Sequence, residues 1–363
     1  MKAFFLRWKK RHIWLAVMLA LLGVYFLIRT NRPLMNVLTE RVTGPVKDAI
    51  GAVCYLLPIP VYEVGYIALA LWAVYYLIAT AVKLCRGEKG KRWQEVYGRA
   101  LLLLCVALTI VDWSCFAWGI NYYADGFQEK SGIYARKMSV DELYDLTELF
   151  TEKLNAAAGA VPRDENGIFA VSRDEIFADS TAVYDEISKE FPFLARTDKA
   201  PKAMMVSKVL SAMGFTGVYS GFTGESLVNV DCPAAYLPNT IAHELAHQRG
   251  FASEQECNFI GILASTGCGN STYAYSGYLV GYTHLSNALY RADTERWREL
   301  RAQLDERALA DMRYNSAYWD QWESPIDTVS QKVYDTVLKS NGQSDGVNSY
   351  GMVVDMLAAY YLD

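Results

Sequence analysis

The stretch TIAHELAHQRGFASEQE, Thr240 to Glu256, holds His243 and His247 four residues apart with Glu244 between them. On an α-helix a spacing of four returns a side chain to within about 40° of its start, so both imidazoles point one way from successive turns. Two nitrogens placed so can reach one Zn²⁺ at about 2.0–2.1 Å. Glu244 is turned about 100° from His243, which puts it beside the metal and off it. There it can hold a zinc-bound water and take its proton as that water attacks a carbonyl. The alternative is a helix whose two histidines share no task. Composition speaks against it, because the 363-residue chain has only four histidines in all. The uncharged Thr240, Ile241, Ala242, Leu245 and Ala246 supply a packing surface around the motif. Arg249 stands where such helices more often carry an apolar residue.

A catalytic zinc needs a third protein ligand and an open fourth position. Glu254 and Glu256 are both within reach in sequence, just after a turn that Gly250 can make. Glu254 has Asn258 four residues on, on the same helix face, where it can support the site from behind. Glu256 has Ile260 at that spacing and suits a capping box with Ser253, so Glu254 is the preferred ligand. Ser253 occupies the place where some families carry the third ligand after a glycine turn, and it is a poor one for zinc.

Other residues offer less. His284 lies on an apolar helical pattern, as a core histidine does. Tyr350, after a glycine-rich turn, could donate to a developing oxyanion or simply pack with its hydroxyl at the surface. The aromatic stretch from Tyr314 to Trp322 reads as core. Thr223–Asn229, a strand just before the histidine helix, is placed to pair with an extended peptide through its main chain.

The elements that position these residues divide into two parts. Three apolar runs precede residue 121: about 12–28, 65–83 and 100–120. Each is long enough for about 30 Å of hydrocarbon, so each reads as a transmembrane helix. The first has a basic start, as signal peptides do, but no small-residue cleavage site follows it, and it is expected to stay as an anchor. Asp112 is the one acid inside these runs, expected near the outer interface or against a neighbouring helix. Basic residues cluster at the N-terminus and again between Lys83 and Arg99, which places both segments in the cytoplasm and residues 121–363 outside. The first 120 residues hold 15 Lys+Arg against 6 Asp+Glu, and the remainder 20 against 34. So acidic a C-terminal part argues against nucleic acid or anionic lipid as its partner. Three cysteines in that part, without a CxxC, imply neither a disulfide framework nor a cysteine zinc site.

Beyond residue 120 the pattern is mostly helical. Ser139 and Glu142 form a capping box before DELYDLTELFTEKLNAA, and Ser253 and Glu256 form another. PKAMMVSKVLSAMGF fits helix or strand, and GFTGVYSGFTGESLVNVDCP fits a short hairpin or edge strand. From Ser271 onward nearly all is helical.

The runs TGESLVN and LPNTIAHELAHQRGFASEQECNFIG, with LKSNGQSDGVNSYGMVVDMLAAYY, resemble a bacterial family of membrane-anchored proteins of unknown function. That family is grouped with the gluzincin-like zinc metallopeptidases, and the resemblance covers nearly the whole chain. It makes Gln248-Arg249-Gly250 a family feature and leaves Cys257 where the pattern more often has Ala. It implies a zinc site and a metallopeptidase-like fold. The expected architecture is therefore mainly α: an anchor of three transmembrane helices (1–120), then a mostly helical, zincin-like (α+β) domain with a small edge sheet (121–363). The expected function is hydrolysis of peptide or protein substrates outside the cytoplasmic membrane, with zinc on His243, His247 and Glu254 and with Glu244 as general base. A non-catalytic or sensory protein with a zinc site, or a zinc amidase on cell-wall material, is the alternative. The expected partners are a peptide or protein substrate and the lipid bilayer.

Overall fold

The computed structural model describes residues 2–86, 92–341 and 350–362, and the described residues are mainly helical. The chain divides into two compact units. One comprises Met1–Leu57, Val61–Ala124 and Gly221–Gly224; the other comprises Pro58–Pro60, Asp125–Ser220 and Glu225–Asp363.

The first unit contains the apolar helices α1 (Lys9–Ile28), α2 (Val61–Arg86) and α3 (Arg92–Ala117). All three are long and apolar enough to cross a membrane. They begin earlier than the apolar runs alone suggest, because Lys, Arg and Glu continue the helices beyond the hydrocarbon-compatible stretch. α3 ends at Ala117, and a 3₁₀ turn, Gly119–Tyr123, takes over where the run was expected to go on to residue 120. α1 packs along α3. Asp112 of α3 is buried, and neither of its carboxylate oxygens has a hydrogen-bond partner among the described residues.

The second unit is a helical body with one three-stranded sheet. Helix α4 (Val140–Ala158) starts at the expected capping box: Ser139 Oγ accepts from the Glu142 N–H at 3.2 Å, and Glu142 accepts from the Ser139 N–H at 2.7 Å. Leu143, Leu146, Phe150 and Leu154 recur at helical spacing and are buried together. Strands β1 (Lys202–Ala203), β2 (Gly217–Ser220) and β3 (Glu225–Val228) follow, in the order β1-β3-β2. β2 and β3 are an antiparallel hairpin, Gly217 opposite Val228, and β1 runs parallel to β3. This corrects the place expected for peptide pairing. The strand within Thr223–Asn229 is the central one, bonded on both sides and buried throughout, so the outer strands are β1 and β2.

Helices α5 (Leu237–Gln248), α6 (Glu254–Gly267) and α7 (Ser271–Ala292) stack in succession, and α7 also lies along α4. Gly281 makes the last contact close: a Cβ there would stand 2.4 Å from the Phe150 ring. Rings of Phe127, Phe191, Phe193, Phe251 and Phe259 meet edge-on or tilted in the core beneath α5 and α6. The C-terminal part supplies further helices, including α8 (Pro325–Ser340) and α9 (Tyr350–Tyr361). The aromatic stretch expected in the core is instead at its margin, with Tyr314 exposed and Tyr318, Trp319 and Trp322 half-buried.

Candidate metal centre

Helix α5 begins with Pro238 in its first turn, where the missing N–H costs nothing. Ile241, Ala242, Leu245 and Ala246 are buried in the core. The helix ends at Gln248-Arg249, and Gly250, at φ 95°, reverses the chain as only glycine does easily. Four residues later α6 starts, with Ser253 Oγ accepting from the Glu256 N–H at 3.4 Å. It returns along α5 at short range, since a Cβ on Gly261 would stand 3.1 Å from the backbone nitrogen of His243.

This reversal brings Glu254 onto the two histidines. Its Oε2 is 3.3 Å from His243 Nε2 and its Oε1 is 3.5 Å from His247 Nε2. The His243 separation matches the roughly 3.3–3.4 Å between two ligand atoms held about 2.05 Å from one tetrahedral ion. The three ligating atoms all lie within 4.8 Å of one another, and this group could hold a metal ion. The side chains are 14, 8 and 17% exposed for His243, His247 and Glu254, so the group is sheltered but reachable. His247 Nδ1 is 2.8 Å from the Phe251 carbonyl, an arrangement that puts the proton on Nδ1 and leaves the Nε2 lone pair for a metal. Cys257 Sγ lies 3.3 Å from that same Nδ1, on the far side of the ring from Glu254. Burial alone would discharge both members of the pair. Cys257 and then Glu254 outweigh burial and hold His247 well above the ordinary imidazole range, while His247 and His243 hold Glu254 well below the ordinary carboxylate range.

Glu244 is 3% exposed, and its Oε2 has no hydrogen-bond partner among the described residues. Burial pushes its carboxyl up to about 7; nearby Glu254 adds to the rise, and His243 and His247 oppose it. The main chain of β2 runs directly over this carboxylate at Gly217. A buried acceptor with nothing to accept from, beside a His₂Glu donor set, fits a zinc site that holds a water.

Glu256 has a different task. Its carboxylate sits against Gly126 and accepts from the Gln128 N–H at 3.2 Å, fixing the start of the short helix Phe127–Ser131. Only half of the capping box expected at Ser253 therefore forms, because the Glu256 side chain is engaged elsewhere. The support expected from Asn258 also comes from another residue. Among the described residues it is Tyr334, on α8, that donates to Glu254 Oε1, at 2.5 Å. Tyr334 could not have been singled out from one sequence with 25 tyrosines.

Arg249 is explained by its surroundings. Its side chain is buried, with the guanidinium 3.4 Å from the centre of the Tyr184 ring. It donates to the Leu194 carbonyl at 2.7 Å and to Asp198 Oδ2 at 2.8 Å. Gln248 bonds both backbone groups of Lys199 and the hydroxyl of Ser226. Together they anchor the C-terminal end of α5 to the segment before β1. His284 is half-buried on α7 near His243, and burial, with the His243 charge, lowers its imidazole to about 4. Tyr350 opens α9, but its side chain and residues 342–349 before it lie outside the described residues.

The chain belongs to the family described as "Protein of unknown function (DUF3810)", whose model matches residues 41–358. The match takes in α2, α3 and the His243–His247–Glu254 group. No curated protein and no solved structure matches the chain.

Proposed function

We propose that this protein is a membrane-anchored, zinc-dependent peptidase of the gluzincin type, acting outside the cytoplasmic membrane. One observation carries the proposal: a buried carboxylate oxygen of Glu244, unpartnered among the described residues, stands beside three convergent candidate ligands. His243, His247 and Glu254 would hold the ion, which when bound would acidify a water and polarise a substrate carbonyl. Glu244 orients that water and takes its proton, and its carboxyl, poised near neutrality by burial, can then pass the proton to the leaving amine. β2 is one of the two outer strands of the sheet and crosses Glu244 at Gly217, so an extended peptide added along it would bring an amide to the carboxylate.

A protein that keeps zinc only for structure is the second reading. A structural site is closed by four protein ligands, whereas the group here has three among the described residues. Cys257 does not supply a fourth, because its sulfur bonds the Phe251 carbonyl and lies at Nδ1, the ring nitrogen of His247 turned away from Glu254. The expected sidedness rests on the basic N-terminus and the basic segment joining α2 to α3. The test uses full-length protein in detergent with peptide libraries and cell-wall fragments, with and without chelator. Chelator-sensitive peptide cleavage supports the proposal. Release from wall fragments alone makes it an amidase, and no zinc-dependent hydrolysis of either favours the structural reading.

A further inference from the structure

Glu254 offers two oxygens to the metal group, and the structure treats them differently. Oε2 faces His243, while Oε1 faces His247 and also receives the Tyr334 hydroxyl at 2.5 Å. That length belongs to a charge-assisted O–H···O⁻ bond, roughly twice as strong as a neutral one. We infer that Tyr334 is a positioning residue: it occupies Oε1 and leaves Oε2 as the single oxygen that Glu254 offers to a divalent cation.

The tyrosine is well held for this. Its ring meets Phe215 edge-on, with centroids 5.3 Å apart at 90°. One turn earlier on α8, Gln331 donates to the Met213 and Gly214 carbonyls at 3.3 and 3.2 Å. Gly214, at φ 76°, takes the left-handed bend that admits this contact, and a Cβ there would strike both Asp327 and Gln331 at 2.5 Å. One turn later Leu338 is fully buried. α8 is thus keyed to the loop leading into β2 on one side and to the ligand glutamate on the other.

The consequence concerns coordination number. A carboxylate with both oxygens uncommitted can close on an ion with both; one whose second oxygen carries a hydrogen bond binds through the first. Tyr334 therefore keeps a position open beside Glu244, where a water is needed. This inference rests on the metal reading of the His243–His247–Glu254 group.

The experiment compares full-length wild type, Tyr334→Phe, Glu254→Gln and the double variant in detergent. It reads zinc affinity by chelator competition and the visible spectrum of the Co²⁺-loaded protein. Phenylalanine keeps the ring against Phe215 and removes only the hydroxyl. The expected result is a zinc affinity about 10- to 100-fold weaker in Tyr334→Phe. Its Co²⁺ bands should also be weaker than the wild type's four-coordinate bands, as a fifth donor enters. In the Glu254→Gln background the same substitution should cost little more, since its partner is gone. Unchanged affinity and spectrum in Tyr334→Phe, or full additivity of the two losses, would overturn the positioning role. A wild type that binds neither Zn²⁺ nor Co²⁺ would remove the metal reading itself, and is told apart by failing before any variant is compared.

Discussion

Gly217 of β2 and Glu244 of α5 are in direct contact: a Cβ at residue 217 would stand 2.3 Å from Glu244 Oε1 and 2.8 Å from its Cγ. The side-chain end of a glutamate can move aside at small cost to the fold, but not without leaving its place beside the ligands. Gly217→Ala should therefore fold and keep its zinc while hydrolysis drops by about 10²-fold, the usual effect of displacing a reacting group by about 1 Å. Zinc content and turnover measured on one preparation check this. Loss of both together would mean that the strand supports the fold and not the carboxylate.

Glu254 and Glu256 should separate cleanly. His243→Ala and His247→Ala should abolish zinc binding, and Glu254→Gln should weaken it, because an amide is a poorer ligand than a carboxylate. Glu256→Gln should keep the metal and lower stability by about 1–3 kcal/mol, since Glu256 is the buried acceptor for the Gln128 N–H. Metal analysis with thermal unfolding of each variant decides the matter. If Glu256→Gln empties the site while Glu254→Gln does not, the two glutamates have exchanged roles.

The side chains of Arg249 and Asp198 are each 2% exposed. Removing one partner of such a pair leaves a buried charge uncompensated, at a cost of about 3–5 kcal/mol. Arg249→Leu should be destabilised on that scale, read as a lower melting temperature. Arg249→Leu melting like the wild type would show that the pair does not anchor α5.

What the sequence made legible, and what it hid, follows from range. His243, Glu244 and His247 share one helix, so the 3.6-residue period places them without further knowledge. Glu254 is reached across a single glycine turn, and local spacing again suffices. Glu256, read locally, looks like half of a capping box; its actual contacts, Gly126 and Gln128, lie far back along the chain. Tyr334 and Gly217 carry no local signal at all, since each matters only for a side chain on a distant element. β3 looked like an edge strand because β1, which covers its other side, is two residues long and has no period to detect. Arg249 looked out of place on its helix because its carboxylate lies on a loop 51 residues earlier.

Asp305 ties stability to acid pH. It caps helix Glu306–Asp320, accepting from the Arg307 N–H at 2.9 Å, and pairs with the Arg307 guanidinium at 2.7 Å. The Arg307 side-chain bond is the main cause lowering its carboxyl from 3.8 to about 2. A folded-state value below the unfolded one means that its stabilisation is complete above about pH 4 and is lost as pH falls towards 2. Asp305→Ala should therefore melt below wild type at pH 6, and the gap should close near pH 2. A gap independent of pH would assign the effect to packing.

The most direct measurement is zinc content and hydrolysis in Glu244→Gln. Glutamine keeps the size and shape of the side chain on α5 but cannot accept the water's proton. Zinc should stay bound at the wild-type level while hydrolysis falls by about 10²- to 10⁴-fold, the range for loss of a positioned acid–base group. Hydrolysis at the wild-type rate, with zinc retained, would contradict Glu244 as the general base and with it the proposed chemistry.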